Sequence, residues 1–298
     1  ILYAKFKKKK ANPADILNFS PAVGDLAVPN ATVPSSFKVA ATNNALVTVP
    51  MLYGGAQDEL ELYVGYFWQG PPINEAIVTT QTGIDALLGS FYREDSARIT
   101  AIKNQYPLLN NASTNFNAAK ALGRVLSDYN PTIGISNCLY LQTSNVIKNV
   151  RASSYTANPI YQFEFADPAA PVCGVGIAEP CPPFVMTGPV HSSELNYFFP
   201  NFSNTSAMNA PNLPLASQLL ADQMVAYWGK FAATGNPNKT GLPNWPVYNG
   251  STGSNNVLKF IPGAVVAYDA DAAHQCSAFW ANTTLTPSMY SLPTTSPY

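Results

Sequence analysis

The chain holds only two histidines among 298 residues, so proton-transfer chemistry has few places to reside. His191 lies in Gly188-Pro-Val-His-Ser-Ser-Glu-Leu-Asn-Tyr-Phe-Phe199, between a glycine turn and an aromatic run, with Glu194 three residues on. Imidazole is the side chain whose ordinary pKa lets it take and return a proton near neutral pH. Alone, such a histidine is more often a satisfied structural residue. A second group changes the balance: Gln57-Asp-Glu59 follows a β-branched apolar run, residues 47–55, that ends in paired glycines. That pattern predicts a buried strand opening into a loop. A carboxylate on such a loop can orient an imidazole on another loop and stabilise its protonated form. The pair can then activate a serine hydroxyl otherwise too weakly acidic to attack an ester. Loops at the carboxyl ends of neighbouring strands bring Glu59 and His191 together despite their distance in sequence. Metal chemistry is not expected: there is no Cys-x-x-Cys and no paired histidine, and His274 beside Cys276 lacks partners. No cofactor is expected either.

The scaffold that must position these residues reads as one α/β domain. Residues 1–45 predict a short basic helix followed by an irregular segment. From Glu59 to about Tyr106 the pattern is mixed and helical, with breaks at Gly70-Pro-Pro72 and at Tyr106-Pro107. Residues 117–128 predict a helix with Ala121, Leu122, Val125 and Leu126 on one side, and 133–150 a second one carrying Cys138. Residues 159–165 alternate like a half-buried strand. The helix at 215–233 places Leu220, Met224, Tyr227, Trp228 and Phe231 on one face, and Gly235 with Pro237 ends it. Residues 257–261 and 264–268 read as two closing strands, and 276–280 opens a last helix. A Pro/Ser/Thr-rich tail at 284–298 should be loose. Strands alternating with helices argue for α/β architecture, and no change in composition marks a second domain.

Charged residues are only 11% of the chain, net charge is −1, and Asn, Ser, Thr and Pro take the place of the missing charge. Nothing in that balance steers nucleic acid or a membrane surface. The Lys7–Lys10 run is the single charge block and reads as a solvated helix face. Eight Asn-x-Ser/Thr sequons, at Asn18, Asn30, Asn111, Asn201, Asn204, Asn238, Asn249 and Asn282, predict N-linked glycans and a secreted protein. The cysteines agree: Cys173 and Cys181 flank a short Gly/Pro loop suited to a local disulfide, leaving Cys138 for Cys276. That is one of three possible connectivities. No apolar run is long enough to span a bilayer. The start at Ile1, with neither methionine nor signal peptide, is the expectation of a fragment.

Four segments carry a family resemblance. Val49-Pro-Met-Leu-Tyr-Gly-Gly-Ala-Gln-Asp-Glu59 resembles the strand ending in Asp-Glu-Gly of the type-B carboxylesterases, the cholinesterase-like α/β-hydrolases. Gly188-Pro-Val-His-Ser-Ser-Glu194 resembles that family's Gly-x-x-His-Gly-x-Glu segment. Phe231-Ala-Ala-Thr-Gly-Asn-Pro-Asn238 with Trp245-Pro-Val-Tyr248, and then Gln275-Cys-Ser-Ala-Phe-Trp280, resemble its closing signatures. Together they cover about residues 45–285, in the family's order.

The resemblance implies the carboxyl-terminal half of an α/β-hydrolase fold. It makes Glu59 the triad acid and His191 the triad base. Asp58 is then the neighbouring carboxylate engaged in loop hydrogen bonding, and Glu194 orders the loop beneath His191. It also implies a Cys138–Cys276 disulfide. Leu60 and Ser192 stand where the family has glycine, and side chains there can displace a triad member. Tyr66, Phe67 and Trp68 could line an apolar substrate pocket. No Gly-x-Ser-x-Gly occurs; Gly134-Ile-Ser-Asn-Cys138 and Gly250-Ser-Thr-Gly253 both fail. The nucleophile, the oxyanion hole and the central strands are therefore expected on an amino-terminal half that partners this one. Two functions follow: a secreted serine hydrolase of small carboxylic esters, or a non-catalytic cholinesterase-like protein of adhesion, scaffolding or assembly.

Overall fold

The computed structural model describes residues 40–41, 43, 45–69, 74–92, 95–130, 135–199, 212–250 and 252–281. The Lys7–Lys10 run, the break at Gly70-Pro-Pro72, the sequons at Asn18, Asn30, Asn201, Asn204 and Asn282, and the tail at 284–298 lie outside them. Strand β1 (Met51–Ala56) is followed by helices α1 (Glu61–Gln69), α2 (Ala76–Thr79), α3 (Gln81–Phe91), α4 (Ser96–Gln105), α5 (Asn117–Asp128) and α6 (Asn137–Val150). After β2 (Ile160–Phe165) come α7 (Leu195–Phe198) and α8 (Leu215–Thr234), then β3 (Val257–Phe260), β4 (Val266–Tyr268) and α9 (Ala270–Ala273). The four strands form one sheet in the order β1-β2-β3-β4. β1 pairs parallel to β2 from Met51↔Ile160, β2 pairs parallel to β3 from Gln162↔Val257, and β4 closes antiparallel on β3.

The alternation of β2 explains the layers. Ile160 packs into one apolar cluster with Leu60, Leu88, Phe91, Leu122, Leu126 and Trp280. Tyr161 and Phe165 pack on the opposite face with Leu220, Met224, Tyr227, Trp245 and Phe260. Helices thus cover both faces of a mostly parallel sheet, as the α/β reading required. Trp245 is fully buried and donates from Nε1 to the carbonyl of Gln162 at 2.9 Å, so its one polar atom is satisfied. Burying a side chain of this size contributes about 2–3 kcal/mol.

Two disulfides are present: Cys138–Cys276, with Cα atoms 5.3 Å apart, ties α6 to the Cys276 turn, and Cys173–Cys181, at 5.7 Å, closes a loop after β2. The first closes a separation of 138 residues, which in the chain-entropy treatment stabilises by roughly 5 kcal/mol. Several element limits differ from the sequence reading. β1 starts at Met51 because β2 begins only at Ile160, and the carbonyls of Val47 and Val49 accept hydrogen bonds from Arg151 instead of a strand. α6 starts at Asn137, preceded by an extended Ser136, and residues 131–134 lie outside the described ones. Residues Cys276–Trp280 form a single π-helical turn, which seats Trp280 against the rings of Tyr92 and Tyr129. No helix among the described residues is long and apolar enough to cross a membrane.

Candidate active site

The loops after β1 and before α7 are stitched by their backbones. Gln57 N–H donates to the carbonyl of Phe165 at 2.8 Å, Asp58 N–H to that of Pro189 at 2.9 Å, and His191 N–H to that of Glu59 at 3.1 Å. With both main chains fixed, the Nδ1 of His191 lies 2.8 Å from Oε2 of Glu59. The other carboxylate oxygen, Oε1, accepts from the backbone N–H of Ala56 at 2.8 Å and from the hydroxyl of Tyr140 at 3.0 Å. Glu59 is buried, whereas the side chain of His191 is 39% exposed. It borders a small surface depression lined also by Pro171, Val172, Gly176, Ser193 and Asn196. A buried carboxylate behind a half-exposed imidazole is the arrangement of a base held in one tautomer and presented outward.

The electrostatics act in the same sense. Burial works to lower the basicity of His191, but the hydrogen bond and charge of Glu59, aided by the charge of Glu194, outweigh it and raise the pKa above its ordinary value. Glu194 is pushed up to about 7, first by burial and then by the charge of Glu59. Its Oε2 is buried without a protein partner, so its influence on the pair is electrostatic. Asp58 turns to Arg124, with Oδ1 3.3 Å from Nη1, and accepts from the amide of Gln57. Burial raises its pKa against the pull of Arg124.

Neither departure from glycine separates the pair. Leu60 points its side chain into the core, and its N–H donates to Ser127 Oγ at 2.9 Å. Ser192 adopts φ 68°, the left-handed conformation that glycine takes freely and that costs another residue about 1 kcal/mol. In the aromatic run after the acid, Trp68 is a correction. Trp68 is buried in the core, Phe67 packs on Phe91, and Tyr66 donates to the carbonyl of Gly176 at 2.9 Å. Tyr63, three residues before Tyr66 and on the same side of α1, has its ring 5.8 Å from that of His191 and 6.0 Å from that of Tyr66.

His274 is a second correction, because its partners come from afar. Its Nδ1 lies 2.6 Å from Asp128 Oδ1 and its Nε2 2.5 Å from Glu164 Oε2, all three side chains being buried. Arg124 Nε stands 2.9 Å from Asp128, and Lys259 Nζ 3.2 Å from Glu164. The available signal was Glu164 itself, a charge on the face of β2 that Ile160 marks as core. Among the sequons described, Asn111 and Asn249 are exposed. The side chain of Asn238 clamps Trp245, donating to its carbonyl at 3.0 Å and accepting from its N–H at 2.7 Å.

The model of a family described as the carboxylesterase family matches residues 1–279. Carboxylesterase 5A of Canis lupus familiaris is 35% identical over 94 residues, 31% of this chain and 15% of the relative. Carboxylesterase 5A of Felis catus is 32% identical over 126 residues, 42% of this chain and 21% of the relative. An acylcarnitine hydrolase of Mus musculus is 34% identical over 89 residues, 30% and 14% of the respective lengths. The matched segments therefore span well under a third of these relatives.

Proposed function

Since this chain belongs to the carboxylesterase family, an α/β-hydrolase family, we propose that it supplies the base and the acid of a serine-type carboxylic ester hydrolase. The observation that carries the proposal is the 2.8 Å contact between Nδ1 of His191 and Oε2 of Glu59. Glu59 keeps the proton on Nδ1, so the unshared pair of Nε2 is free to accept one from a serine hydroxyl. The serine oxygen then bonds to the ester carbonyl carbon, and the imidazolium returns its proton to the departing alcohol. Water repeats the sequence on the acyl-enzyme and releases the carboxylic acid.

The nucleophile and the oxyanion donors belong, in this reading, to an amino-terminal half of the same domain. Two features support that: the chain contains no Gly-x-Ser-x-Gly, and β1 is the outer strand of the described sheet, with one edge open to a further strand. The two disulfides and the exposed sequons at Asn111 and Asn249 support passage through a secretory pathway with N-linked glycans. The test is to treat the intact protein with a tagged fluorophosphonate and map the labelled residue. A serine labelled in the wild type, with labelling lost in His191→Ala, is the expected result. An intact protein that stays unlabelled overturns the reading in favour of a hydrolase fold kept for adhesion or assembly.

A further inference from the structure

The orientation of Glu59 is not explained by His191 alone. A carboxylate pivots about its last bond, and one histidine contact leaves the second oxygen unheld. Here Oε1 is held twice, by the Ala56 N–H at 2.8 Å and by the Tyr140 hydroxyl at 3.0 Å. Tyr140 is itself fixed. It lies in the first turn of α6, where its N–H donates to the carbonyl of Ser136 at 3.0 Å, two residues beyond the disulfide-bonded Cys138. Its ring meets that of Tyr53 edge-on, with centroids 5.5 Å apart.

The approach of phenol and carboxylate depends on a missing side chain. A Cβ on Gly55 would lie 2.2 Å from Glu59 Oε1, 2.5 Å from a ring carbon of Tyr140 and 2.8 Å from its hydroxyl. Gly55 therefore opens the space in which the two groups touch. The contact is made by three separate pieces of chain: the end of β1, the loop after it, and α6.

We propose that Tyr140 is a positioning residue for the ester hydrolysis, its hydroxyl holding Oε1 of Glu59 so that Oε2 faces His191 Nδ1. This rests on the proposed function of the same site. Burial, and then the neighbouring Glu59, raise the phenol pKa well above its ordinary value, so the hydroxyl stays a donor over the whole working range. By donating, it withdraws negative charge from the carboxylate and moderates how strongly Glu59 raises the basicity of His191. Without it the carboxylate is looser and keeps more of its negative charge facing His191. The first change slows turnover, and the second makes the imidazole hold its proton to higher pH.

Tyr140→Phe in the intact protein keeps the ring and removes only the hydroxyl. Loss of a hydrogen bond to a charged group predicts kcat lower by about tenfold to a hundredfold, with KM unchanged. The acid limb of the kcat profile should move to higher pH. The His191 ring titration, followed by NMR, should move the same way. Gly55→Ala, which leaves the hydroxyl in place but pushes phenol and carboxylate apart, should reproduce both shifts. Wild-type kcat together with an unmoved His191 titration in Tyr140→Phe would overturn the proposal, as would a loss confined to thermal stability. The NMR titration reads the chain Tyr140–Glu59–His191 whether or not an ester is cleaved. Failure of the hydrolase reading itself would show instead as undiminished turnover in His191→Ala.

Discussion

His191 bonds one carboxylate through one ring nitrogen, whereas His274 bonds two carboxylates through both. The side chain of His191 is 39% exposed and that of His274 1% exposed. On the proposed function, the difference separates a proton carrier from a clasp. A base must keep one nitrogen available and a pKa near the working pH. His274 has neither: burial opposes its charge, but Glu164 and Asp128 overcome that and raise it to about 9. It is charged at neutral pH and joins Arg124 and Lys259 in neutralising Asp58, Asp128 and Glu164. These groups bind the end of α5 to β2, β3 and the segment leading into the Cys276 turn. The same residue type thus stands in a half-exposed pair with Glu59 and in a buried cluster beside it, the two linked through Asp58 and Arg124.

Exchanging the two histidines for alanine should divide activity from stability. In the intact protein His191→Ala is expected to lower ester hydrolysis by roughly 10⁴-fold or more while shifting stability by about 1 kcal/mol. His274→Ala leaves Asp128 and Glu164 buried without their shared cation, and should cost about 3–5 kcal/mol. Its kcat, measured below the new melting temperature, should stay within a few-fold of wild type. Paired turnover and urea-unfolding measurements check both. Equal losses of stability in the two variants would dissolve the comparison.

The clasp also has a signature in pH. The folded pKa of His274, about 9, lies above its ordinary 6.5, so its contribution is complete below pH 6.5 and is lost as pH rises through 9. Glu164 behaves inversely. Burial opposes its ionisation, yet His274 and Lys259 hold it down to about 2, below the ordinary 4.5. Its contribution is present above pH 4.5 and lost as pH falls toward 2. Glu61, pushed up to about 8 by burial, also loses stability as pH rises, so the wild-type curve alone mixes sources. The difference in unfolding free energy between wild type and His274→Ala removes that background. It should be flat from about pH 4.5 to 6.5 and shrink on either side, and a difference that grows toward pH 9 would contradict the assignment.

What the sequence revealed and what it hid follow one physical rule. β2, α5 and α8 were legible because their apolar residues repeat at the period of a single element. Glu59 and His191 were legible because each stands in a local motif next to a strand end or glycine turn. Tyr140 and the partners of His274 were not, because each contact joins residues 81 to 146 positions apart and no local pattern marks either member. Trp68 shows the opposite error. Proximity to Glu59 in sequence suggested a pocket wall, but the turn of α1 carries it into the core.

Glu194 stands between the two regimes and gives the finest comparison. Unlike the clasp carboxylates it is only half-buried, yet desolvation and the charge of Glu59 push its pKa up to about 7, and its buried Oε2 has no protein partner. Near neutrality it is therefore partly ionised, and in the charged form it adds to the basicity of His191. Glu194→Gln fixes the neutral form. His191 then loses one of the influences that raise its pKa, so the acid limb of the kcat profile should move to lower pH, opposite in sign to Tyr140→Phe. The shift should be the smaller of the two, because Glu194 acts by charge alone and Tyr140 through a hydrogen bond to the acid. A limb that moves upward in Glu194→Gln would mean that this carboxylate supports the loop by packing, with no electrostatic hold on the base.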